Sequence, residues 1–139
     1  MTKEQKELLL TDLCARLPYN VKCTYYDKCV DEEDEGTITG MQNGTYFVID
    51  GGCIDVENVK PYLFPLSSMT EEQENEWDNL HFNPLDTILE GKFNGEEERL
   101  QLISKAMTDP IRWCYKNNFD CNGLIPLGLA IDATGKNIY

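Results

Sequence analysis

A single histidine limits the imidazole chemistry open to this 139-residue chain. Any Ser-His-acid or Cys-His machinery would have to use His81, because the nucleophile needs an adjacent base. His81 opens the run His81-Phe82-Asn83-Pro84, which reads as a loop beside a helix carrying Trp77. A loop histidine is by default a surface or capping group. The six cysteines, Cys14, Cys23, Cys29, Cys53, Cys114 and Cys121, are separated by 8, 5, 23, 60 and 6 residues. No C-x-x-C pair exists, and structural zinc needs closely spaced ligands. The cysteines therefore read as small buried hydrophobes. Cys29 and Cys53, which flank loops, are the expected exposed thiols, and neither stands beside a histidine or a basic cluster that would activate it.

Carboxylates offer a second chemistry. Asp31, Glu32, Glu33, Asp34 and Glu35 run consecutively into Gly36. Acids at alternate positions with glycine sixth have the form of a calcium loop. The twelfth position is Gln42, not a bidentate glutamate, and the flanks read as strands, not helices. Five like charges in a row repel one another, so the run is expected as an exposed, solvated loop. With 25 acidic residues, a carboxylate pair arises anywhere by chance and singles out no acid–base centre. Gly51-Gly52 is a turn, without the helix N-terminus and lysine of a phosphate loop. No metal and no cofactor is expected.

The bulk numbers narrow the partners. The length suits one domain with a core of its own, 1–139. The formal net charge is −13. Residues 1–69 carry 6 basic and 12 acidic groups, residues 70–139 carry 6 and 13, so no basic stripe exists in either half. Direct binding to nucleic acid or to anionic membranes is disfavoured. The leucines near the N-terminus are bracketed by charges and form no export signal, and the longest uncharged apolar run, 123–131, is too short to span a bilayer. A cytoplasmic setting with reduced thiols is the expectation.

The elements that must position these groups follow from local signals. Thr2 and Gln5 make a capping box for a helix over residues 3–17, with Leu9, Leu10, Leu13 and Leu17 apolar and Pro18 ending it. Residues 21–30 read as a strand. Asn43-Gly44 lies between two alternating runs and predicts a type I′ hairpin. That register sets Gln42 opposite Thr45, Gly40 opposite Phe47 and Ile38 opposite Ile49, with Ile38, Phe47 and Ile49 on one face and Met41, Tyr46 and Val48 on the other. A turn at 50–52 leads to another strand with Ile54 and Val56. Residues 62–64 form a fifth strand, confined to an edge by Pro61 and Pro65. Both faces of this sheet are apolar, so helices cover both, the sheet curls, or the second face is an interface. In the second half Ser68 with Glu71, or Thr70 with Gln73, caps a helix ending near Asn79 that packs through Trp77 and Leu80. Another runs over 96–107 with Leu100, Ile103 and Met107 as its stripe, and Asp109-Pro110 starts a fourth. The tail from Phe119 is expected as an ordered segment packed on the sheet.

VKPYLFPLSSMTEEQ at 59–73 and FDCNGLIPLGLAIDA at 119–133 resemble a family of uncharacterised proteins from phages, prophages and mobile elements of gut Bacteroidales. The opening 1–22 and the junction 53–60 fit the same pattern, and the resemblance weakens over 31–35 and 81–98. It implies a small cytoplasmic accessory protein and brings no catalytic residues with it.

The sequence thus predicts an α+β fold: an N-terminal helix, an antiparallel meander of four to five strands in SH3-like or open curled form, and a helical C-terminal half. The function it favours is non-catalytic contact with a host or phage protein, through Asp31, Glu32, Glu33, Asp34, Glu35 and Tyr46. Acidic clusters at 31–35, 71–78 and 96–98 could meet a basic surface, even in imitation of nucleic acid. The alternative is a small hydrolase or nucleotide-handling enzyme centred on His81.

Overall fold

The computed structural model describes residues 1–139 and is α+β, with a six-stranded, mostly antiparallel open sheet. Helix α1 (Lys3–Arg16) starts at Thr2, whose hydroxyl accepts from Gln5 N while the Gln5 side chain accepts from Thr2 N. Strands β1 (Lys22–Asp27), β2 (Glu32–Gln42), β3 (Tyr46–Ile49) and β4 (Gly52–Asp55) form the meander. A 3-10 turn at Val56–Asn58 leads into β5 (Val59–Leu63). Helices α2 (Glu71–Leu89) and α3 (Gly95–Lys116) follow, and β6 (Ile131–Asp132) lies in the tail. The sheet order is β4-β3-β2-β1-β5-β6. Of the two sheet forms expected, the open one is observed, with β4 and β6 as its edges. No helix is long and apolar enough to cross a membrane.

The turn at Asn43-Gly44 forms with positive φ at both residues, 53° and 75°. Its register is partly corrected. Ile38 faces Ile49 as expected, but Gln42 faces Tyr46, Met41 faces Phe47 and Gly40 faces Val48. A bulge between Ile38 and Gly40 absorbs the one-residue difference, because an extra residue on one strand moves every later side chain to the opposite face. Met41 therefore reaches the α1 side, where Cys14 Sγ lies 3.3 Å from its sulfur. Gly40 lies against Val48, not Phe47, and a Cβ there would meet it only at an ordinary contact distance of 3.8 Å. Gly36 lies where β2 passes closest to Ile49 and Asp50. A Cβ there would lie 2.5 Å from Asp50 Oδ2 and 2.6 Å from Ile49 Cγ2, so only glycine allows this approach.

Three further expectations are corrected. The acidic run is not a loop: β2 begins at Glu32 and pairs with β1 from Asp27↔Glu32 to Lys22↔Thr37. Residues 31–35 are exposed, as their charge requires, but exposure of side chains does not forbid backbone pairing. Two carboxylates about 7 Å apart repel by only about 0.6 kcal/mol in water, against about 1 kcal/mol gained per hydrogen bond. Next, β5 is an interior strand, with antiparallel β1 on one side and parallel β6 on the other. Its second neighbour comes from the far end of the chain, which local pattern does not reveal. Finally, the helix end expected near Asn79 and the break expected before Asp109-Pro110 are absent, since α2 continues through Pro84 to Leu89 and α3 runs through Pro110. His81 consequently sits on a helix, not in a loop.

The main core joins α1 to the sheet and tail: Leu9 and Leu13, Val21, Ile38, Phe47, Ile49, Val56, Val59 and Leu63, closed by Leu124, Leu129 and Ala130. Each large side chain so buried contributes about 1.5–3 kcal/mol. The tail packs on the sheet as expected. The α2–α3 pair adds nothing to this core. It joins through a second cluster of Trp113, Cys114 and Phe119, with Phe64, Met69, Trp77, Leu80 and Cys121 around it. The inward face of α3 is Ala106, Pro110, Trp113 and Cys114. Of the expected stripe, Leu100 and Met107 face solvent, 54% and 68% exposed, while Ile103 is half-buried. The second sheet face is likewise uncovered at Tyr46, which is 41% exposed.

Candidate functional site

Strand β2 presents its acids in strand geometry, successive side chains pointing to opposite sides. Across from them on β1, Thr24 pairs with Glu35, Tyr25 with Asp34, Tyr26 with Glu33 and Asp27 with Glu32. The last pairing sets two like charges directly opposite, which is destabilising. Two phenols fix the ends of the run. Tyr62 Oη donates to Glu35 Oε1 at 2.6 Å, and Tyr26 Oη donates to Asp31 Oδ1. None of the ion pairs in the structure involves residues 31–35. Thr24, Glu33, Asp34 and Glu35 line a wholly polar depression of about 450 Å³. The hydrogen bond to Glu35 and burial together push the Tyr62 phenol up to about 12.

Tyr46 does not join this surface. It lines a cleft of about 230 Å³ together with Tyr26, Cys29, Cys53 and Ile54. Tyr26 belongs to both places, lining the cleft and a neighbouring depression beside Glu33. Cys29 and Cys53 are exposed as expected, and all six cysteines are free thiols. The other two acidic clusters occupy the first turns of α2 and α3, where carboxylates complement the helix dipole. They stand apart from the β2 run.

His81 is held by the helices. Its Nδ1 lies 3.2 Å from the carbonyl oxygen of Ala106. A carbonyl only accepts, so Nδ1 carries the proton. The ring stacks against Trp77, with centroids 6.2 Å apart and planes 14° apart, and meets Phe82 edge-on.

A second constellation lies among residues the sequence reading did not single out. Asp12 and Arg16 of α1 are fully buried. Arg16 Nε donates to Asp12 Oδ1 at 2.6 Å, and Arg16 Nη2 donates to Asp12 Oδ2 at 3.1 Å and to the Phe119 carbonyl at 2.7 Å. Asn122 Nδ2 donates to Asp12 Oδ2 at 2.7 Å and to Tyr115 Oη at 3.2 Å. The guanidinium lies 4.8 Å over the Tyr115 ring. One buried donor, Arg16 Nη1, has no partner. Cys114 and Cys121 complete the cluster. The Cys114 thiol hydrogen-bonded to it lowers the Cys121 thiol, with Arg16 and Tyr115 acting in the same direction, against burial and Asp12. The Cys114 thiol is pushed up by the same contact and by burial. The signal for the charged pair was present: positions 12 and 16 share the α1 face of Leu9 and Leu13, where charges are unexpected.

Comparisons with protein-family models, with curated proteins and with solved structures return no match.

Proposed function

We propose that the chain is a non-catalytic accessory protein, in the cytoplasm of a cell carrying a phage or mobile element, that binds a basic surface of a host or phage protein. The acidic half of β2 is the contact. One observation carries the reading: residues 32–35 hold four carboxylates on a hydrogen-bonded strand, Asp31 stands in the turn just before them, and no ion pair reaches any of the five. A sheet that sets Asp27 opposite Glu32 gives up stability at that pairing, and function is the usual reason such a cost is kept. Fixed spacing distinguishes this stretch of strand from a solubilising tail. It gives a partner's lysines and arginines set positions to meet, in the manner of a phosphate backbone. Tyr26, beside Glu33, adds an aromatic ring on which an arginine can stack.

The test is capture from infected or lysogenic cells by the tagged chain and by its E32Q/E33Q/E35Q variant. The reading requires a defined partner that is retained by the wild type, lost by the variant, and released as salt rises. Duplex DNA should compete for that partner if it is a nucleic-acid-binding protein. Equal retention by both proteins at high salt would overturn the reading.

A further inference from the structure

A cleft beside α2 goes beyond the acidic strand and is independent of it. Leu66, Met69, Glu74, Trp77 and Asp78 line a space of about 380 Å³, within the range of about 300–1,000 Å³ usual for small-molecule sites. One wall is the turn ahead of α2. Ser68 N and Ser68 Oγ both donate to the Pro65 carbonyl, at 2.9 and 2.7 Å, and Met69 N donates to the Leu66 carbonyl at 3.2 Å. The other wall is one face of α2, where Glu74, Trp77 and Asp78 stand at i, i+3 and i+4. The Thr70–Gln73 capping box fixes where that face begins, and the His81 ring lies along the indole with planes 14° apart. Both walls are held before any ligand arrives, which lowers the cost of binding one.

The helix alone does not account for both carboxylates. Glu74 belongs to the first turn, where the dipole favours an acid. Asp78 lies a full turn further on, beyond that help, and like charges at i and i+4 repel. None of the ion pairs in the structure reaches either one. The rest of the lining is apolar: the Trp77 indole, Met69, and Leu66, which is 44% exposed. Two uncompensated anions on an aromatic, apolar cleft match one kind of ligand, an organic cation with an apolar body.

We propose that this cleft binds a small arylalkylammonium ion. The ammonium donates to the Glu74 and Asp78 carboxylates and rests against Trp77, the side chain whose ring holds a cation best. The apolar body lies on Leu66 and Met69 and leaves water there. A thioether gains from contact with an aromatic ring, so Met69 favours an aryl group over a plain alkyl chain.

NMR titration of the full chain tests the site. Its two tryptophans give two indole N–H signals, one from the cleft and one from the buried Trp113. Phenethylammonium chloride should shift the Trp77 signal to saturation and leave that of Trp113 in place. 2-Phenylethanol, the same body without the charge, should bind at least about tenfold more weakly, since its hydroxyl makes no charge-assisted bond. E74Q/D78N changes two exposed positions and should weaken phenethylammonium binding by the same factor while the other amide signals stay where they were. E32Q/E33Q/E35Q should bind it as the wild type does, which separates this site from the acidic strand. N-acetyl-lysine amide, with its charge on a narrow chain, should bind more weakly than phenethylammonium. No saturable shift at Trp77, or equal shifts at both indoles, overturns the proposal. So does undiminished binding by 2-phenylethanol or by E74Q/D78N, which would leave only an unselective apolar cleft. Tighter binding of the lysine derivative would overturn it in favour of a partner protein's basic side chain.

Discussion

His81 donates its Nδ1 proton to the one α3 carbonyl that Pro110 leaves without a donor. In an α-helix the amide of residue 110 would bond the carbonyl of residue 106. Proline has no N–H to give. The Ala106 oxygen is 3.2 Å from His81 Nδ1 instead, and the helix runs unbroken from Gly95 to Lys116. The lone histidine thus has a definite physical task in joining α2 to α3, and Trp77 and Phe82 hold its ring at the angle that task requires.

His81→Ala should lower stability by about 1–2 kcal/mol, the cost of stranding a half-buried carbonyl. Pro110→Ala restores the missing amide, so His81→Ala should cost markedly less in that background. Urea unfolding of the four proteins gives the coupling directly. Equal costs in the two backgrounds would show that the bond has no energetic weight.

Asp120 holds the start of the tail. Its Oδ1 accepts from Leu124 N at 2.8 Å and its Oδ2 accepts from Ile125 N at 2.9 Å, which sets Leu124 into the core. Asp120→Ala should cost about 1–3 kcal/mol, because two amides lose their partner. Asp120→Asn retains one acceptor and should cost less. Denaturant midpoints order the three proteins.

The acidic strand should be more stable without its charge. E32Q/E33Q/E35Q relieves repulsion of about 0.6 kcal/mol per neighbouring pair at about 7 Å and leaves the Tyr62 bond an acceptor. The melting temperature should rise at low salt, and the gain should vanish at high salt, where the charges are already screened. A drop at low salt would mean that the carboxylates are stabilising where they stand.

Tyr62 gives a pH signature. Its phenol is raised from 10.0 to about 12, first by the bond to Glu35 and then by burial. The folded chain binds that proton more tightly than the unfolded one. The stability so linked is whole below about pH 10 and is lost as pH rises toward 12. Burial pushes the Tyr139 phenol up to about 12 as well, so absorbance titration should show two late phenols, and Glu35→Gln should move one of them back toward the ordinary range.

What could be read from the sequence was what neighbours in the chain decide. Thr2 with Gln5 and Thr70 with Gln73 form their capping boxes, Asn43 and Gly44 take positive φ, and Ile38, Phe47 and Ile49 face inward. The readings that failed needed a partner far away. Pro110 looks like a helix start until His81 is seen answering the orphaned carbonyl. Pro61 looks like an edge marker until Ile131 arrives beside Tyr62. Residues 31–35 look like a loop if charge alone is weighed, since the compensating hydrogen bonds come from β1. The Asp12–Arg16 pair escaped notice because its meaning depends on Phe119 and Asn122, brought over it by the fold.

The account rests most on the acidic run being a fixed strand, and amide hydrogen exchange on the free protein tests that directly. Amides bonded to β1 within residues 32–37 should exchange much more slowly than those of the turn at 28–31. Exchange across 32–37 as fast as in the turn would return the run to a solvated loop and remove the fixed spacing on which recognition of a basic surface depends.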